Sequence, residues 1–257
     1  MKKTLSIQLW NVRDHMKDAE MTAETFKALA SYGFTGIQTY SAPGNPEQFA
    51  ALAKDAGLEI IGTHTELDVL KNIDAAVAMH KTLGTTNAGL GNMPNMWSFK
   101  LTPAEIVQII DDMNKTAEQF AKHGLRLTYH HHAYEFAKID GNKSIMDLMF
   151  EELDPKNTAF VLDTYWLQMG GQDILEWIDK CAGRLDILHL KDHTIPFNTN
   201  GAQVTELGAG NLNFQKIVAA AEKAGVTDLC YEQDGNFVTD ALASAKQSAE
   251  YFYKHLV

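Results

Sequence analysis

The chain has 257 residues, with 33 acidic against 22 basic side chains and a formal charge of −11 at pH 7. That acidic balance opposes docking on a phosphate backbone or an anionic membrane, so neither nucleic acid nor membrane is an expected partner. Hydrophobic residues at 45% and charged residues at 21% match a globular domain and exclude disordered and fibrous classes.

Residues 5–10 are the first apolar stretch after Lys2 and Lys3. Gln8 interrupts them and Asn11, Arg13 and Asp14 follow, which is too short and polar for a secretory signal. No run of 18 apolar residues predicts a membrane span. Cys181 and Cys230 lack CxxC spacing and lie in apolar segments, so they read as free buried thiols in a reducing, cytoplasmic compartment.

In chain order, a strand at residues 5–10 precedes a helix at 23–31, then a strand at 36–40 a helix at 46–55. A strand at 59–65 leads to a helix at 73–83, and one at 86–90 to a helix at 103–122. The second half repeats the rhythm: strand 125–132 and helix 144–152, strand 158–164 and helix 174–182, strand 185–191 and helix 214–224, strand 229–234 and helix 241–255. Thr102, Pro103 and Glu105 form a helix-start signature, and Gly33, Gly57, Gly84, Gly124 and Gly225 follow helix ends. Eight βα units in this length predict a single-domain (β/α)8 TIM barrel spanning residues 1–257. An open doubly wound sheet is the alternative, but no GxGxxG follows the first strand.

Barrel strands are buried on both faces, so a polar residue inside one needs a reason. Period-two alternation turns Ser6, Gln8 and Trp10 inward in the first strand, and Ile187, His189 and Lys191 in the seventh. Polarity therefore rises toward the carboxyl ends of the strands, where barrel active sites lie. Six of the ten histidines fall at or just past strand ends: His64, His130, His131, His132, His189 and His193. Glu135, Asp163 and His189 are spaced by about one βα unit of roughly 30 residues, and Glu232 follows on the eighth strand. Three carboxylates and one imidazole on one ring would repel without a cation, so these four are the expected ligands of Mn²⁺, with Mg²⁺, Zn²⁺ or Co²⁺ as alternatives.

Trp10, His64, His130, His132, Lys191 and Glu206 are expected to contact substrate around that ion, with a second-shell orienting role open for the His130–His132 run. Gly208, Ala209, Gly210 and Asn211 offer either an anion cradle or a simple hinge. Residues 92–97, with Met93, Met96 and Trp97, read as an apolar lid or as an interface patch of a homodimer.

At these residues the sequence resembles the xylose isomerase-like superfamily of sugar phosphate isomerases and epimerases. The likeness rests on Tyr129-His130-His131-His132 with Glu135-Phe136, Leu162-Asp163-Thr164-Tyr165-Trp166, Leu188-His189-Leu190-Lys191-Asp192, Glu206-Leu207-Gly208-Ala209-Gly210 and Tyr231-Glu232-Gln233-Asp234. It implies a TIM barrel, a divalent metal held by Glu, Asp, His and Glu, and an open top that receives a small carbohydrate. The chain departs from the pattern where Tyr129 replaces a strand-five glutamate, where His131 replaces an asparagine, and where Ala209 replaces a glutamate between glycines.

The expected activity is isomerisation or epimerisation of a keto sugar, with Glu135 and Glu232 moving protons through an enediolate. A metal-dependent lyase acting on a keto sugar or inosose is the alternative, and a non-catalytic sugar-binding barrel is a third reading. Only Lys191 is placed to meet an anion, which favours an unphosphorylated or glycosidic sugar.

Overall fold

The structure is a computed structural model that describes residues 3–257. Eight parallel strands form one sheet: β1 (Leu5–Gln8), β2 (Phe34–Gln38), β3 (Glu59–Gly62), β4 (Asn87–Leu90), β5 (Arg126–His130), β6 (Thr158–Asp163), β7 (Leu185–Leu190) and β8 (Asp228–Tyr231). Around it lie α1 (Ala19–Ser31), α2 (Pro46–Asp55), α3 (Ile73–Leu83), α4 (Pro103–Ala121), α5 (Ile145–Glu152), α6 (Ile174–Lys180), α7 (Phe214–Ala224) and α8 (Ala241–His255). The strand order β3-β2-β1-β8-β7-β6-β5-β4 makes a nearly closed TIM barrel of one domain.

Local chemistry sets the element ends. Thr102 and Glu105 exchange the hydrogen bonds of a capping box at the start of α4. Gly84 and Gly225 end α3 and α7 in the left-handed region, with φ of 73° and 82°. The first strand stops at Gln8, earlier than its apolar pattern suggests, because the Gln8 side chain accepts the Trp10 N–H and turns the chain into a 3-10 segment, Leu9–His15. Trp10 therefore stands just above the barrel, outside the strand that was expected to carry it. Among the described residues no helix is long and apolar enough to cross a membrane.

Alternation stacks the barrel interior in layers. Ile61, Val161, Ile187 and Cys230 form an apolar floor. Two residues further along three of the same strands come Asp163, His189 and Glu232. Cys230 and Cys181 are both free and buried, as their spacing suggested.

The sheet closes between β3 and β4 by few contacts, a bridge pairing Thr65 with Leu90 and main-chain bonds from Thr63 and Thr65 to Asn87 and Gly89. Side chains reinforce this seam. Thr63 Oγ1 accepts the Gly89 N–H at 3.1 Å and donates to His80 Nε2 at 2.9 Å, while His80 Nδ1–H donates to the Ala76 carbonyl at 2.7 Å. The approach is so close that a Cβ on Gly89 would sit 1.8 Å from the Thr63 carbonyl oxygen. Removing the relay by Thr63→Val leaves a buried imidazole and an amide unpaired, and is expected to lower unfolding free energy by about 1–3 kcal/mol in urea titrations.

Burial lowers the His80 pKa below the usual imidazole range, so the folded state holds the neutral ring. The unfolded chain then binds more protons at acid pH, and stability falls as pH drops through and below that range. Urea titrations at about pH 7 and about pH 5 should show this loss in the wild type and a smaller one in His80→Gln.

Candidate active site

Four side chains meet above the apolar floor. His130 at the end of β5, Asp163 at the end of β6, His189 in β7 and Glu232 just past β8 each offer one ligand atom, and these atoms lie within 4.8 Å of one another. All four residues are buried. His130 Nε2 is 3.8 Å from both Asp163 Oδ2 and Glu232 Oε2, and His189 Nδ1 is 2.6 Å from Glu232 Oε2.

Each is held from behind. His130 Nδ1 meets the Gly91 carbonyl at 3.1 Å, which puts the proton there and turns the Nε2 lone pair inward. His189 Nε2 meets Gln38 Oε1 at 2.7 Å and leaves Nδ1 for the centre. Asp163 Oδ1 accepts the Trp166 N–H at 2.9 Å, the first turn of a short helix, Thr164–Met169. The Asp163 N–H in turn donates to His131 Nε2 at 3.1 Å. Burial lowers the His131 pKa to about 3, so this ring stays neutral and acts as an acceptor.

The set fits a divalent ion. His130 Nε2 and Asp163 Oδ2 are buried with no hydrogen-bond partner. Two carboxylate oxygens no more than 4.8 Å apart repel by roughly 3 kcal/mol or more at an effective dielectric near 20, and two imidazole nitrogens with two carboxylate oxygens suit a borderline cation.

Glu135 was expected in this ring and is elsewhere. It follows the strand by five residues, and its carboxylate accepts the Tyr129 O–H at 2.5 Å and the His132 N–H at 2.8 Å. Burial pushes this carboxyl up to about 8. His130 takes the place in the ring because it lies on the inward face of β5 and Tyr129 on the outward one.

A cavity of about 400 Å³ opens over the four ligands, with Trp10, Tyr40, Trp97 and Trp166 in its walls and His64, His132 and Lys191 among its polar groups. A second hollow, between α1 and α2, contains none of the clustered ligands. Lys191 is 1% exposed. Its ammonium pairs with Asp234 at 2.6 Å and lies 3.7 and 3.8 Å from Glu232 and Asp163. Burial acts to lower its pKa, but the three carboxylates outweigh this and raise it above the usual value. The same ammonium helps hold Glu232 below the usual carboxylate range against the cost of burial.

Glu206 does not reach the cavity. It accepts from Ser244 Oγ at 2.6 Å and the Val238 N–H at 3.0 Å, tying the loop before α7 to the start of α8. The glycine-rich cradle binds an internal anion: Asp192 accepts N–H bonds from Gly208, Gly210 and Leu212 at 3.0–3.2 Å. Met93 and Met96 are core residues, and Asn92 and Trp97 of that loop reach the cavity. Tyr40 carried no sequence signal, and Trp166 and Asp234 stood within the family-like motifs without being assigned to the site; Trp166 stands one helical turn after Asp163, which is the spacing that brings it to the same rim.

A family model described as xylose isomerase-like TIM barrel matches residues 26–255. The chain belongs to that family. A sugar phosphate isomerase/epimerase from Parabacteroides distasonis superposes with a TM-score of 0.82 over 99% of this chain and 95% of its own, at 20% identity. A magnesium complex of a xylose isomerase-like barrel protein from Mycobacterium smegmatis superposes with a TM-score of 0.67, at 15% identity over 99% and 97% of the two chains. Among curated proteins, an inosose dehydratase from Geobacillus thermodenitrificans is 30% identical over 146 residues, 52% of this chain and 46% of that one. The match thus spans about half the length of that relative.

The geometry puts His130, rather than Glu135, among the clustered ligands. His130→Ala is expected to abolish stoichiometric Mn²⁺ uptake, whereas Glu135→Gln should retain it; elemental analysis of purified protein reads both.

Proposed function

We propose that this barrel binds a divalent ion at His130, Asp163, His189 and Glu232 and catalyses proton transfer beside the carbonyl of an unphosphorylated keto sugar, an isomerisation or epimerisation. The observation that carries this is the convergence of four ligand atoms under an aromatic-walled cavity that also holds a buried lysine. The bound ion, Mn²⁺ by the donor set and with Mg²⁺ supported by the magnesium-bound neighbour, would supply Lewis acidity to the substrate carbonyl and its neighbouring hydroxyl.

The protein's own groups do the rest. Glu232 lines the cavity and takes the proton from the carbon beside the carbonyl. The Lys191 ammonium, fixed by Asp234, stabilises the negative charge that develops on the substrate oxygen. Trp10, Tyr40, Trp97 and Trp166 pack against the apolar C–H faces of the sugar and exclude water. Glu135 lies outside the cavity walls, which removes it as a second base. One carboxylate moving a proton between neighbouring carbons is isomerisation chemistry, and epimerisation would need a different group on the opposite face. The absence of a basic cluster beside Lys191 in the cavity walls favours a substrate without phosphate.

A second reading is elimination of water from an inosose after the same proton abstraction. The partial match to an inosose dehydratase favours it. Incubation of 2-keto-myo-inositol and D-fructose with the Mn²⁺-loaded protein in D₂O separates the two: deuterium in an otherwise unchanged or isomerised skeleton supports proton transfer, and loss of water supports elimination. Either activity should fall by about 10²–10⁴-fold in Glu232→Gln with the fold retained. Full activity of that variant, or a protein that takes up no divalent ion, would overturn the assignment.

A further inference from the structure

Two hydrogen-bond donors in the cavity wall have no partner among the described residues. Trp166 Nε1 is buried and unpartnered, and an indole nitrogen donates only. The ring cannot turn away to satisfy it, because Tyr165 packs at 4.7 Å, His132 at 5.2 Å, and the Lys191 ammonium sits 4.9 Å over its face.

His64 supplies the second donor, and its tautomer follows from a chain of bonds. Gln8 Oε1 accepts the Trp10 N–H, so the Gln8 amide group turns its NH₂ to His64 Nδ1 at 3.1 Å. His64 Nδ1 is then the acceptor and the proton resides on Nε2, which is buried without a partner. Both residues line the same cavity as Glu232. A buried N–H left unpaired costs about 1–3 kcal/mol, so two in one cavity wall mark places where a ligand supplies acceptors.

We infer that the Trp166 indole N–H is a specificity-determining donor which, with the His64 Nε2–H, selects a substrate presenting a hydroxyl or ring oxygen to each. The inference rests on the proposed function and refines its substrate class: a neutral polyol ketone with an acceptor for each of these two donors. A phosphate is not what these groups are built to meet, since each offers one neutral N–H and the Lys191 ammonium in the same wall is already paired with Asp234.

The test uses Mn²⁺-loaded protein titrated calorimetrically with 2-keto-myo-inositol and D-fructose, then with monodeoxy analogues of the tighter ligand. Trp166→Phe keeps an aromatic face under Lys191 and removes the N–H donor together with part of the ring, so the deoxy analogues isolate the hydrogen bond. The substitution is expected to weaken binding about tenfold while leaving metal content unchanged. One monodeoxy analogue should bind wild type and variant equally, because each has lost one side of the same hydrogen bond. In the wild-type protein the Trp166 indole N–H resonance should move downfield on ligand addition, a reading that does not depend on the variant folding. A variant that binds within about twofold of wild type, or an indole resonance that stays in place, overturns the inference and leaves the proposed function standing. If neither parent sugar binds the wild type, the substrate class fails and the inference fails with it.

Discussion

The site is organised by the need to keep Asp163 and Glu232 charged in a place almost without water. Both are buried and their oxygens lie within one small cluster with His130 and His189. Bringing unlike charges and imidazoles to them is the only way such a pair stays ionised. The groups behind the cluster, Gln38 on His189, the Gly91 carbonyl on His130, His131 on the Asp163 amide and the Trp166 amide on the Asp163 carboxylate, fix the ring orientations and tautomers. The donor set is therefore shaped before any ligand arrives, and its cost is met by packing in the layer of Ile61, Val161, Ile187 and Cys230 beneath it.

The buried carboxylates divide by what they neutralise. Asp163, Glu232 and Asp234 face cationic or imidazole partners around Lys191 and the ligand cluster. Asp192, Glu206 and Glu135 face backbone amides and hydroxyls instead, and serve as internal anchors. Long loops at the top of a barrel carry amides that no sheet partner reaches, and a buried carboxylate satisfies several at once. In the loop before α7 this is why Gly208 and Gly210 are needed: a Cβ on Gly210 would lie 2.3 Å from Asp192 Oδ1. These anchors hold the loops after β5 and β7 in place.

Much of the fold was written locally. Strand and helix periods, capping by Thr102 and Glu105, and glycines after helices are properties of a few neighbouring residues, so eight βα units and the inward face of β7 were legible. Asp163, His189 and Glu232 were legible because each falls at a strand end and their spacing follows the βα repeat. Glu135 was misread because it lies beyond the strand, where period-two alternation no longer says which way a side chain turns. His130 was expected as a substrate contact or orienting residue and not as a ligand, although its place in the strand pointed it inward.

The sequence by itself determined the barrel, its acidic character and three of the four clustered ligands, because those follow from composition and from periodicity along single elements. The tertiary structure decided which carboxylate joins the cluster, which anion fills the glycine-rich loop, and that Trp166 and His64 present unpaired donors to one cavity. These depend on contacts between residues far apart in the chain, such as His189 with Gln38 and Gln8 with His64. Hydrogen bonds of that kind are set by where strands meet around the barrel, and no local pattern of residues encodes the meeting.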